Sequence, residues 1–306
     1  MLIALVLAAT LKFPDVQPPV IMDYLATEGE RVWVPAGNTG KVFVLERDRF
    51  RTIDGFATRK GRGDRLMGPS SVTVGDGAVY VGNRGDSRIW AIDPKTLEKK
   101  GSVELPSMPD GTFYVATTKE VWVTTPRDNA IEIIDAAMKV VARIAVESPE
   151  GYAVDAAKGI VYTNQEDKDR TLAIDARTRK IVSNWDAGCG KEGPRGLALD
   201  ATRGALMVAC AVKGVNVLDT KTGARKGHID VGEGVDNIDY VASRALLYAS
   251  AGRSEKAVIA KLHDDGSLEA VKTEKVGKGC RVIVATPDGT GYAADSAAGQ
   301  LWLIKP

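Results

Sequence analysis

The chain has 306 residues, 44% apolar and 26% charged, with a formal net charge of +1. So even a balance supplies no global field that would draw the chain to nucleic acid or an anionic membrane. Two histidines in the whole sequence exclude a histidine-rich metal site and most histidine-based acid–base schemes.

The chain begins MLIALVLAA, an uncharged apolar run that ends in small residues and is too short to span a bilayer. It reads as the apolar centre of a secretory signal without its basic start, so residues 1–9 are expected to lie outside the fold. The competing reading makes them a strand. Leu11-Lys-Phe-Pro14 followed by Pro18 repeats the pattern Val103-Glu-Leu-Pro106 followed by Pro109, an outer strand leading into the next unit. Thr10 to Pro14 is therefore predicted to be an outer strand.

From there the sequence is periodic. Short apolar strands are centred on Trp33, Tyr80, Trp122, Tyr162, Met207, Tyr248 and Tyr292, at intervals of roughly 40–47 residues, the period of a β-propeller blade. Units open at Val20, Pro69, Pro109, Pro149, Pro194, Val235 and Cys280. The clearest reads Pro194 to Asp200, Ala205 to Cys210, Gly214 to Asp219 and Thr222 to Asp230, four alternating strands bounded by turn residues. The last unit has only three: Arg281 to Ala285, Gly291 to Ala294 and Gln300 to Lys305. A missing strand would leave an open sheet edge, which Thr10 to Pro14 can cover. The prediction is an all-β single domain over residues 10–306, a seven-bladed β-propeller of four-stranded antiparallel blades. Its N-terminal strand closes the last blade as a Velcro.

Asp93, Asp135, Asp175 and Asp219 end third strands, three of them followed by Thr96, Thr178 or Thr222. They are expected to accept turn amides, a structural role. Asn38, Asn83, Asp128 and Asn164 fall in the loops between second and third strands, where Asn is expected to take the left-handed turn conformation.

Loops from fourth to first strands and from second to third strands open on one face of a propeller. Cys189 lies in the first kind and Cys210 in the second, both in the fifth unit, so a disulfide is within reach. Two unpaired thiols or a metal pair are the other readings. Cys280 is left odd, either a buried structural thiol or a reactive one near the channel mouth.

The entry residues of the first strands ring that mouth: Asp23, Ser70, Ser71, Asp110, Glu150, Arg195, Asp236, Asn237 and Arg281. Such a convergence of charge is costly unless solvated or paired. It reads as a solvated rim of local ion pairs, or as a polar pocket. A divalent ion such as Ca²⁺ held by Asp23, Asp110, Glu150 and Asp236 is a third reading. Arg59, Lys60, Arg62 and Arg65 form a basic loop between the first two units, without the interleaved aromatics of a nucleic-acid surface. No nucleophile elbow, phosphate-binding glycine loop, haem-attachment motif or CxxC pair is present. No histidine is placed beside Ser70 or Ser71, which speaks against serine-type catalysis.

Tyr80-Val-Gly-Asn83, Trp122-Val-Thr-Thr125 and Tyr162-Thr-Asn-Gln165 resemble degenerate copies of the motif that names the YVTN-repeat propellers. The order of Cys189, Cys210, Gly232-Glu-Gly-Val-Asp236 and Gly279-Cys-Arg281 is similar to that of exported bacterial YncE-like members of the group. The resemblance covers the chain after Ala9 and departs at Cys280, where a small residue is usual. It implies a seven-bladed propeller outside the cytoplasm, periplasmic or secreted, and little about chemistry.

Together these readings give a monomeric scaffold with no cofactor and no transmembrane segment. It binds a small polar ligand or a protein partner at its mouth without catalysis. Two readings from other classes stay open: a metal-dependent, lactonase-like hydrolase with its ion in the channel, and anion or nucleic-acid binding through the Arg59–Arg65 loop.

Overall fold

Trp33, Trp122, Tyr162, Met207 and Tyr248, all predicted to centre second strands, are almost completely buried, and Tyr80 and Tyr292 are nearly so. Each sits between neighbouring sheets, where an aromatic or Met side chain buries the most apolar area per position. The computed structural model describes residues 9–306. It is a seven-bladed β-propeller of four-stranded antiparallel sheets. The inner strands are Ala26–Glu28, Pro69–Gly75, Thr112–Val115, Pro149–Asp155, Pro194–Asp200, Asp239–Val241 and Cys280–Ala285, numbered here as blades one to seven. Among the described residues one strand pair stands outside the blades, a hairpin of Arg59–Lys60 and Leu66–Met67.

Ala9–Lys12 completes blade seven, pairing antiparallel with Gln300–Ile304 from Ala9 opposite Leu303 to Lys12 opposite Gln300. The closure is as predicted, displaced toward the N-terminus. Ala9, expected outside the fold, is in the ladder; residues 1–8 of the signal-like run lie outside the described residues. Pairing stops at Lys12 because Phe13 turns inward, its ring 4.8 Å from that of Phe43 and 5.0 Å from that of Phe50.

Two features of the inner strands shape the mouth. In blades two, four, five and seven the register slips next to Ser70, Gly151, Arg195 and Arg281. Such bulges re-aim side chains. At Gly151 the φ of 62° and the Arg195 carbonyl, into which a Cβ would run, both require glycine. In blades one and six the inner strand starts late, and the preceding backbone pairs with the neighbouring blade instead. Tyr24 exchanges N–H···O bonds of 3.0 Å with Ser70 and Val72, and Asp236 N–H reaches the Arg281 carbonyl at 3.0 Å. The ring is thus drawn together at this end.

Cys189 and Cys210 form a disulfide, their Cα atoms 5.0 Å apart, and Cys280 is a buried free thiol. Burial pushes the Cys280 thiol far above its ordinary range, with Asp295 adding to the effect, so it is inert. No helix among the described residues is long and apolar enough to cross a membrane.

Candidate ligand site at the channel mouth

Bulges and late-starting strands deliver the predicted charges to one place. Asp23 and Asp236 are 8% and 6% exposed, so their charges need partners. Arg84 supplies one, 3.1 Å from Asp23 and in contact with Asp110. Arg281 lies 3.4 Å from Asp23 and in contact with Asp236. The result is a continuous chain, Asp110–Arg84–Asp23–Arg281–Asp236, with one residue from each of blades three, two, one, seven and six.

Glu150 joins this chain through a phenol. The Tyr24 hydroxyl donates to Glu150 Oε1 at 2.7 Å and lies 3.4 Å from Asp110, while Gly151 N–H donates to the same oxygen of Tyr24 at 3.3 Å. Burial pushes the Glu150 carboxyl up to about 7, with Asp23 and Glu166 adding to the rise against the opposing Tyr24 bond. Arg195 is not part of this chain; it is paired with Glu166 and lines the same cavity as Arg281. Asn237 does not join the network; its Nδ2 is buried without an acceptor.

Between these groups lies a cavity of about 860 Å³, lined by five cationic side chains, Arg65, Arg195, Arg253, Lys278 and Arg281, and two carboxylates, Glu192 and Asp236. Arg253 is held by Glu192 at 2.7 Å. Arg65 comes from the basic hairpin between blades one and two, which folds over the mouth so that Arg65 and Leu66 form part of its wall. Among the described residues Arg65 makes no ion pair. Partial burial and the nearby charges of Arg281 and Arg84 hold its guanidinium below the ordinary range.

Sequence reasoning found the first-strand entry residues and missed the loop charges that pair at the mouth. Arg84, Glu166 and Arg253 lie in the loops between second and third strands, the first two close after Asn83 and Asn164. The asparagines themselves play another part. None of Asn38, Asn83 and Asn164 has a positive φ; Asn129, Asp169 and Glu255 take the left-handed positions instead. Asn38 donates to Pro19 O at 2.8 Å, Asn83 to Ala57 O at 3.1 Å and Asn164 to Arg195 O at 2.6 Å. They clamp the backbone of the preceding or following connection, because an amide at the end of the second strand faces that chain directly.

Among the described residues no three His, Cys, Asp or Glu side chains gather as metal ligands would. Of the four carboxylates considered for a divalent ion, Asp23, Asp110 and Asp236 already face guanidinium groups, whose charge opposes a cation.

No protein-family model and no curated protein sequence matches the chain. Solved structures do match in fold. The streptogramin B lyase structure has a TM-score of 0.75 at 14% identity, over 97% of this chain and 98% of that one. Virginiamycin B lyase from Staphylococcus aureus gives 0.76 at 14%, over 98% and 99%. The RRP9 WD40 repeats give 0.78 at 8%, over 97% of both chains. A lyase and WD40 repeats share the architecture equally, so the fold does not choose between chemistry and scaffolding.

Proposed function

We propose that this protein is an exported propeller of the YVTN type that binds a small polyanionic ligand at its mouth and performs no reaction on it. The observation that carries the reading is the cavity wall, five cationic side chains against two carboxylates, with Arg65 in it as a solvent-exposed guanidinium that makes no ion pair among the described residues. A surplus of cationic side chains around one concave wall favours an arriving anion. A guanidinium presents a planar fork of donors suited to carboxylate or phosphate oxygens. Arg195 and Arg281 line the same cavity and would add donors, while Asp236 and Glu192 orient them. Export is supported by the signal-like start and by the disulfide, which forms and persists in oxidising compartments.

Isothermal titration calorimetry with citrate, inorganic phosphate and the neutral polyol glycerol tests the reading. Saturable binding of one of the anions that weakens steeply with added salt is the expected result. Equal, weak heats for all three would overturn it. The basic hairpin belongs to this same site, so an extended nucleic-acid surface has no separate observation in its favour.

A further inference from the structure

Beyond the Tyr24–Glu150 contact the channel widens again into a second cavity of about 360 Å³ toward the opposite face. Its wall holds Tyr24, Phe113, Tyr114, Tyr152 and Tyr240, aliphatic side chains of the inner strands, the polar Thr27, Thr73 and Asn237, and one carboxylate, Asp239. The aromatic wall is built rather than incidental. Tyr152 stacks between Tyr24 and Phe113, with centroids 5.9 and 4.3 Å away. The Tyr24 hydroxyl is tied to Glu150, and the Tyr240 hydroxyl donates to Asp200 at 2.6 Å. Tyr152 has no such tie among the described residues.

Asp239 is the anomaly. Its two oxygens accept the N–H of Tyr240 at 2.7 Å and of Ala285 at 2.8 Å, and among the described residues it makes no ion pair. Arg65, Arg195, Arg253 and Arg281 line the mouth cavity and not this one. Burial raises the Asp239 carboxyl above its ordinary range despite the two amides, and burial, with Asp239 adding to it, drives the Tyr152 phenol up. A carboxylate without a counter-charge inside the channel is expensive, and a counter-ion from outside removes the cost. A hard metal ion would need several oxygen ligands, and no such set is gathered among the described residues. An ammonium group needs less. It can donate to the outer face of Asp239 and to the Tyr152 oxygen, while its carbon body lies on aromatic and aliphatic walls.

We propose that this chamber is a second ligand site, independent of the mouth, for an organic primary ammonium ion carrying an aryl or alkyl body. Asp239 is its counter-ion and the Tyr152 hydroxyl a second acceptor.

Calorimetric titration of the full chain near neutral pH with phenethylammonium, and with 2-phenylethanol as the neutral analogue of similar shape, tests the assignment. The ammonium should bind about tenfold or more tightly than the alcohol, as one charged hydrogen bond requires. Asp239→Asn should abolish that preference, and Tyr152→Phe should weaken ammonium binding a few-fold while leaving the alcohol unchanged. Equal affinity of the two probes for the wild-type chain, no binding of either at millimolar concentration, or a preference that survives Asp239→Asn would overturn the proposal. The comparison of probes on the wild-type chain decides the matter even if Asp239→Asn does not fold.

Discussion

Carboxylates at the two ends of the propeller are stabilised in opposite ways. At the turn end, Asp93, Asp135, Asp175 and Asp219 each accept amides within four residues, for example Thr96 N–H at 3.0 Å, Lys139 N–H at 2.9 Å, Thr178 N–H at 2.7 Å and Lys221 N–H at 2.9 Å. At the mouth, Asp23, Asp110 and Asp236 are held by arginines from other blades. The first arrangement is complete within one hairpin and is indifferent to ring closure. The second exists only once the ring has formed, so closure and the mouth charges support each other.

Breaking the ring should give the largest effect. Removing residues 1–8 should leave the thermal midpoint nearly unchanged, because the described pairing of Ala9 to Lys12 with blade seven is kept. Removing residues 1–14 strips the outer strand of blade seven and the buried Phe13, a loss of at least the roughly 3–5 kcal/mol of a large core aromatic. A drop of many degrees in a melting curve is expected, and equal midpoints for the two truncations would refute the closure.

The disulfide comes next. Cys189→Ala with Cys210→Ala opens a bridge between residues separated by 21 positions, worth about 3 kcal/mol in the chain-entropy model. Denaturant unfolding of the double variant should show that loss, and reductant should lower the wild type to the same level. No change in either experiment would mean that the bridge adds nothing beyond local packing.

Within the charges, Asp23→Asn leaves Arg84 and Arg281 short of a counter-charge. It should cost about 1–3 kcal/mol, discounted for the partial exposure of both arginines. Asp219→Asn, at a turn, should cost under about 1 kcal/mol. A reversed order would mean that the inter-blade chain is only a solvated rim.

Glu150 gives the most specific effect, one that is seen only against pH. Its folded carboxyl titrates near 7, above the value of a free glutamate, so the folded state holds this proton more tightly than the unfolded one. Its favourable contribution is complete below the unfolded value and is lost as pH rises toward 7. Glu150→Gln should therefore match the wild type near pH 4 and melt a few degrees higher near pH 8. A constant difference across that range would remove the assignment.

Seven blades and their closure were legible in the sequence because each blade repeats its own pattern of anchor, strand and turn. The turn aspartates were legible for the same reason, since donor and acceptor are neighbours in the chain. At the mouth, only the half of each pair that follows the repeat could be read. Asp23, Asp110, Asp236 and Arg281 occupy first-strand entries, whereas Arg84, Glu166 and Arg253 sit in short second-to-third loops whose charges do not follow the repeat. The aim of the entry residues in turn depends on bulges such as those at Arg195 and Arg281. Arg65 was hidden further. Nothing local says that its hairpin folds across the mouth rather than out into solvent, and only the cavity wall reveals it.

The claim that separates structural from ligand-directed arginines is tested most directly by one paired measurement, the melting temperature and citrate affinity of Arg65→Ala beside those of Arg281→Ala. Arg65→Ala should keep the wild-type melting temperature or raise it slightly, and lose about 1.5–3 kcal/mol of binding, the value of a charged hydrogen bond. Arg281→Ala should lower the melting temperature, because Asp23 and Asp236 lose their shared partner. An Arg65→Ala protein that binds citrate as the wild type does, or that melts lower than Arg281→Ala, would contradict the account.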